Sequence, residues 1–168
     1  MHALRQYIAD VPDFPRPGVL FRDIAPLLRA QFGATIGALE ALFAADEWRG
    51  IDAVAGIEAR GFILAAALAE RRGKGFVPIR KQGKLPPPVV ELAYALEYGS
   101  GALEMQPGRG RILIIDDVLA TGGTLQAAAE LCLRAGYEVA GFGALIDLKL
   151  GGEFRWRGTA LRYVIDYA

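Results

Sequence analysis

Short apolar runs of strand length alternate along the chain with stretches whose apolar positions recur at helical spacing, the pattern of a mostly parallel α/β sheet flanked by helices. The apolar runs predict strands over 51–55, 75–80, 111–115, 137–146 and 160–165. The helical period predicts helices over 34–45, 60–71 and 123–134. In the last of these Leu125, Ala128, Ala129 and Cys132 share one face, the spacing of a helix laid on a sheet. Cys132 then reads as a small buried apolar residue.

Two stretches break this rhythm. Residues 10–26 carry Pro12, Pro15, Pro17 and Pro26 with one glycine, which predicts an extended, pre-shaped N-terminal arm within residues 1–33. Residues 81–110 run from Lys81-Gln82-Gly83-Lys84 through Pro86-Pro87-Pro88 to a glycine-rich end. Within them Val90, Leu92, Tyr94, Leu96 and Tyr98 alternate with Glu91, Ala93, Ala95 and Glu97, so a hairpin is expected. A long excursion between core strands is more often a lid or binding loop than an idle connection, and 81–106 is read as a lid. No internal repeat or low-complexity tract is evident.

The 168 residues suit one domain, 1–168, with a sizeable core. Lys plus Arg number 19 and Asp plus Glu number 19, so the chain lacks the basic surplus of a protein drawn to nucleic acid or an anionic membrane. The longest apolar run, 62–69, is far below the ~20 residues a membrane span needs, and the first residues do not resemble a signal peptide. A single cysteine excludes an internal disulfide and makes a reducing cytoplasm the default location. His2 is the only histidine, which removes Ser-His, Cys-His and multi-His metal chemistry. Carboxylates, Arg and Lys, hydroxyls and backbone must do the work.

The strongest chemical signal is Arg111-Ile112-Leu113-Ile114-Ile115-Asp116-Asp117-Val118-Leu119-Ala120-Thr121-Gly122-Gly123-Thr124. A buried strand delivers two adjacent acids to its carboxyl end, where parallel sheets bind ligands. A Thr-Gly-Gly-Thr turn then opens a helix, whose free N–H groups and positive dipole end favour an anion. The turn lacks the Gly-Lys-Ser/Thr of a triphosphate-binding loop, so a single phosphate fits better. The paired carboxylates suit the 2′- and 3′-hydroxyls of a ribose. An ordinary Asp cap before a glycine turn is the alternative.

Residues 114–124 resemble the phosphoribosyl-pyrophosphate (PRPP) signature of the type I phosphoribosyltransferases. The stretch Asp13-Phe14-Pro15-Arg16-Pro17-Gly18-Val19-Leu20-Phe21-Arg22-Asp23-Ile24 is similar to the purine-binding arm of the adenine-using branch of that family. Ile79-Arg80-Lys81-Gln82-Gly83-Lys84-Leu85-Pro86 and Leu96-Glu97-Tyr98-Gly99 extend the match. The last twenty residues carry no recognised motif.

The resemblance implies transfer of the phosphoribosyl group from PRPP to N9 of adenine, giving AMP and pyrophosphate, with Mg2+ held mainly by the substrate rather than by a protein metal site. It implies that Ala120, Thr121, Gly122, Gly123 and Thr124 cradle the 5-phosphate and that Asp116 and Asp117 hold the ribose, Asp116 also facing the developing cation. Ala59, Arg60, Arg80, Lys81 and Lys84 are implied at pyrophosphate, with Arg60 also counted as catalytic. Leu20, Phe21, Arg22 and Val118 are implied at the purine. Glu97 is implied as a catalytic lid residue and Tyr98 as its neighbour closing the site. A surface cation at Arg60, a core aromatic at Phe21 and a solvated carboxylate at Glu97 are the alternatives.

A homodimer is expected from the family. Pro87 stands where many relatives have glycine, which favours a stiffer lid. Two other readings stay open: a 6-oxopurine enzyme, kept alive by Lys149 although Asp147 fills the place expected for a lysine, and a non-catalytic PRPP-sensing regulator.

Overall fold

The computed structural model describes residues 3–96 and 99–167. A 3-10 turn at Ala3–Tyr7 leads into β1 (Ala9–Pro12), β2 (Leu20–Asp23), α1 (Ala25–Glu40), α2 (Ala45–Arg49), β3 (Ala53–Ile57) and α3 (Arg60–Arg71). There follow β4 (Gly75–Lys81), β5 (Val90–Leu96), β6 (Gly99–Met105), β7 (Gly110–Leu119), α4 (Gly123–Arg134), β8 (Tyr137–Asp147), β9 (Arg155–Trp156) and β10 (Thr159–Asp166). Eight strands form one sheet in the order β5-β6-β4-β3-β7-β8-β10-β9, while β1 and β2 form a separate antiparallel ribbon. From β4 to β10 the neighbours are parallel. The edge pairs β4–β6, β5–β6 and β9–β10 are antiparallel.

The central strand shows why the sheet forms here. On β7, Leu113 and Ile115 join the core under α1 and α3, and Ile112 and Ile114 join the core under α4. All four are fully buried. Each such side chain contributes roughly 1.5–3 kcal/mol on leaving water, and a strand buried on both faces belongs in the middle of a parallel sheet. Cys132 is likewise fully buried, and burial pushes its thiol up to about 12.

Helices α3 and α4 keep the expected bounds, but α1 starts nine residues before the expected 34. Pro26 lies in its first turn, where a missing N–H costs nothing, and Asp23 Oδ1 accepts the Ala25 N–H at 2.9 Å. The backbone is non-helical at Gln31, so the two halves of α1 are kinked. The expected strand over 111–115 runs on to Leu119, because β8 keeps pairing with it as far as Leu119 opposite Asp147. The expected hairpin is β5–β6. It extends the sheet through Arg80 opposite Glu104 and Lys81 opposite Leu103, and Leu92 and Tyr94 pack against the core on the α4 side. Among the described residues no helix is long and apolar enough to cross a membrane.

Candidate active site

The carboxyl end of β7 and the start of α4 enclose a pocket of about 100 Å³ lined by Asp116, residues 118–125 and Ala144. Two acids and a tight turn arrive there because β7 ends one residue before the turn and α4 begins at Gly123. Gly122 has φ +93, a conformation open to glycine, and a Cβ there would sit 2.8 Å from the Phe154 ring. A Cβ on Gly151 would come within 2.7 Å of the Thr121 carbonyl oxygen. The segment 151–154 therefore backs the turn. The only sequence signal for it was the Gly151-Gly152 pair, which by itself marks nothing more than a loop.

Asp116 and Asp117 behave differently. Asp116 Oδ1 accepts the Asp117 N–H at 2.9 Å. Burial, reinforced by the neighbouring Asp117 charge, holds the Asp116 carboxyl well above the usual carboxylate range. Asp117 is 8% exposed and lies 2.6 Å from Arg60 Nε. Helix α3 can approach this closely because Gly61 has no side chain; a Cβ there would stand 3.0 Å from Asp116 Oδ1.

Arg60 also joins the acids to the N-terminal arm. Its guanidinium lies over the Phe21 ring, 4.7 Å from the centroid, and Nη1 donates to the Arg22 carbonyl at 3.4 Å. Phe14 meets Phe21 edge-on with centroids 5.1 Å apart. Leu20 on the same strand is exposed, and Val118 packs against the core beside the pocket. Phe21, Arg22, Arg60 and Asp117 are thus brought together. The Arg60 side chain points to the arm and the acid, although pyrophosphate was the contact expected of it.

The arm itself is fastened from the far end of the chain. The Arg22 guanidinium pairs with Asp10 and stacks on the Tyr167 ring at 3.9 Å. Arg5 stacks on the same ring at 4.1 Å and donates to the Asp166 carbonyl. Tyr167 lies in the terminal stretch that showed no motif, and no local pattern marks it.

On the opposite flank Ala59 precedes α3, and the Glu58–Ala59 peptide is cis. Glu58 Oε1 accepts the Lys81 N–H at 2.7 Å and lies 3.4 Å from Arg80 Nε. Lys81 and Lys84 are exposed. Glu97 and Tyr98 lie outside the described residues. Asp147 is buried, accepts the Lys149 N–H, and lies 2.8 Å from the Lys149 ammonium. Hydrogen bonds to Asp147 and Tyr163 raise the Lys149 pKa, so this lysine stays charged and tied down. Among the described residues, no group of three or more His, Cys, Asp or Glu side chains converges to hold a metal ion.

Residues 30–166 match the phosphoribosyl transferase domain family. The chain is 52% identical over 167 residues to the adenine phosphoribosyltransferase of Hydrogenovibrio crunogenus, covering 99% of this chain and 97% of the relative. It is 48% identical to that of Bdellovibrio bacteriovorus, covering 98% and 99%. Among solved structures it is similar to the adenine phosphoribosyltransferase of Rhodothermus marinus, with TM-score 0.87, 44% identity and coverage of 98% and 96%. It is also similar to that of Saccharomyces cerevisiae complexed with an iminoaltritol bisphosphate and adenine, with TM-score 0.85, 31% identity and coverage of 96% and 96%. With a phosphate-sized turn behind paired acids and an aromatic arm beside them, the chain belongs to the adenine phosphoribosyltransferase family, within the type I phosphoribosyltransferases.

Proposed function

We infer that this chain transfers the 5-phosphoribosyl group of PRPP to N9 of adenine. The bond from C1′ to the pyrophosphate oxygen breaks, a C1′–N9 bond forms, the N9 proton leaves, and AMP and pyrophosphate are the products. The observation that carries this reading is the β7–α4 pocket, joined through Arg60 to Phe21, in a chain half identical to adenine phosphoribosyltransferases over nearly its whole length.

Catalysis of such a transfer consists of holding donor and base in line and stabilising charge as it develops. The N–H groups and hydroxyls of 120–124 are assigned to the 5-phosphate. Asp116 and Asp117 are assigned to the ribose hydroxyls. With one carboxyl ion-paired to Arg60 and the other held toward its protonated form, the couple suits hydroxyl recognition better than a divalent-ion cage. Magnesium would then be held mainly by the substrate rather than by these residues, and would supply positive charge to the leaving group. Ala59, Arg80, Lys81 and Lys84 are assigned to pyrophosphate. Arg60, paired with Asp117, is assigned to the same anion. Phe21 and Val118 are assigned to the faces of adenine, the backbone of Leu20 and Arg22 to its edge, and Glu97 and Tyr98 to closing the site.

Adenine is favoured over 6-oxopurines because Asp147 fills the place expected for a lysine that would donate to O6, and Lys149 is itself held by Asp147 and Tyr163. A wrongly paired buried polar group costs about 1–3 kcal/mol. The reading includes a homodimer in the cytosol. Exposed Ile63 and Phe76 supply apolar surface for such an interface. Sedimentation at the mass of one chain would contradict the dimer.

Pyrophosphate release from PRPP and Mg2+ in the presence of adenine, guanine or hypoxanthine tests the activity. Adenine is expected to give rapid release and the other two little. Faster release with guanine or hypoxanthine would overturn the purine assignment, and silence with all three would favour a PRPP-sensing regulator.

A further inference from the structure

One buried carboxylate has no part in the transfer described above. Glu104 on β6 is 1% exposed. Its Oε2 accepts the Gly83 N–H at 3.0 Å, and its Oε1 accepts the N–H groups of Lys84 and Leu85 at 2.7 and 2.6 Å. Three successive amides turned toward one point make an anion-binding concavity, and here the protein fills it with its own side chain. Burial alone would raise this carboxyl. The three N–H groups together with nearby Arg80 outweigh burial and keep it below the usual range, so the group is an anion at neutral pH. Gly83, at φ +83, permits the bend.

The same short segment is tied at its other positions too. The Lys81 N–H donates to Glu58 Oε1, and the Gln82 N–H donates to the Ala102 carbonyl at 3.1 Å. Every residue from 81 to 85 thus has its backbone N–H fixed by β6 or by Glu58, while the side chains of Lys81 and Lys84 stay exposed. A loop built only to be flexible would not place three charge-assisted hydrogen bonds on a buried acid.

We propose that Glu104 is a positioning residue for the leaving group: it holds the 83–85 backbone in the conformation that presents Lys84 to pyrophosphate. The inference rests on the assignment of that lysine to pyrophosphate. It adds that its placement depends on an anion of the protein itself, at the base of the hairpin.

Steady-state kinetics of Glu104→Gln, Lys84→Ala and the double variant, with thermal midpoints for each, separate the possibilities. The glutamine amide turns an NH2 group against backbone donors and loses at least one of the three bonds. Glu104→Gln is expected to raise the KM for PRPP about tenfold, the scale of one hydrogen bond to a charged group. The KM for adenine should stay within about twofold, and the double variant should be little worse than Lys84→Ala, because the two act through the same contact. Should Glu104→Gln fail to fold, Glu104→Asp carries the same comparison, since it keeps the charge but stops one methylene short. A normal PRPP KM in Lys84→Ala would sink the assignment of that lysine and the proposal with it. A raised PRPP KM in Lys84→Ala beside a normal one in Glu104→Gln would overturn the proposal alone. Equal rises in both KM values, or additive losses in the double variant, would reduce Glu104 to a fold-stabilising acid.

Discussion

Neighbouring acids on one strand need not share a charge state, and the couple at the end of β7 illustrates the point. Asp117 has Arg60 to neutralise it, whereas Asp116, half-buried and largely desolvated beside that negative charge, is pushed toward its protonated form. A carboxyl with a raised folded pKa keeps its proton at a pH where the unfolded chain has lost it, so it weakens the fold as pH rises above its usual value near 3.8. Asp116→Asn removes that burden and can keep the Oδ1 contact to the Asp117 N–H. It is expected to leave the thermal midpoint at neutral pH unchanged or higher while lowering kcat/KM for PRPP by about a hundredfold or more, as for loss of one transition-state contact. A midpoint several degrees lower with activity intact would make the acid structural. Gly122→Ala should do the opposite to the fold. A left-handed φ and the Phe154 ring 2.8 Å from the new Cβ together cost about 1–3 kcal/mol, which calorimetry would read as a midpoint lower by several degrees. An unshifted midpoint would show that the turn relaxes freely.

The N-terminal ribbon depends on contacts from the opposite end of the chain. Four prolines and an aromatic were enough to mark an extended arm with Phe21 on it. They hid the start of α1, because Pro26 looks like a breaker until it is seen in the first helical turn. The anchor was invisible as well. Tyr167 acts only by meeting Arg5 and Arg22 in three dimensions, and no spacing within 149–168 announces it. Each cation on the ring contributes about 0.5–1 kcal/mol. Tyr167→Ala should therefore loosen β2 and raise the KM for adenine about fivefold, with little change for PRPP. Tyr167→Phe keeps the ring face and should behave like the unaltered protein. An unaltered adenine KM in Tyr167→Ala would show that the ribbon holds its place without the tail. Glu104 and Gly151 escaped notice for the same reason, since each is an ordinary residue locally and matters only through a distant loop. Helices α3 and α4 and the five parallel strands were legible because burial on sheet faces writes its period directly into the sequence.

Taken together, the molecule ties its separate layers with acid–base pairs whose loss should be visible in its acid stability. Glu47 on α2 is held down to about 2 by both Arg162 nitrogens on β10 and by the Ala44 N–H. Glu40 at the end of α1 lies below its usual value between Arg71 and Arg72, whose hydrogen bonds outweigh its burial. Carboxyls depressed in this way stabilise the fold above their unfolded value near 4.5 and lose that contribution as pH falls toward their folded values. Thermal midpoints should fall progressively below about pH 4.5, and Glu47→Gln should flatten part of that decline down to about pH 2. A decline of the same steepness in the variant would remove the α2–β10 pair from the explanation. The function rests on a larger juxtaposition, that of the Thr121–Thr124 turn with the Phe21 arm across Arg60. A crystal structure with AMP bound reads it in one experiment. The phosphate should lie against the N–H groups of 121–124, the ribose hydroxyls on Asp116 and Asp117, and the adenine ring on Phe21. A phosphate bound away from that turn, or a base away from Phe21, would contradict the whole assignment.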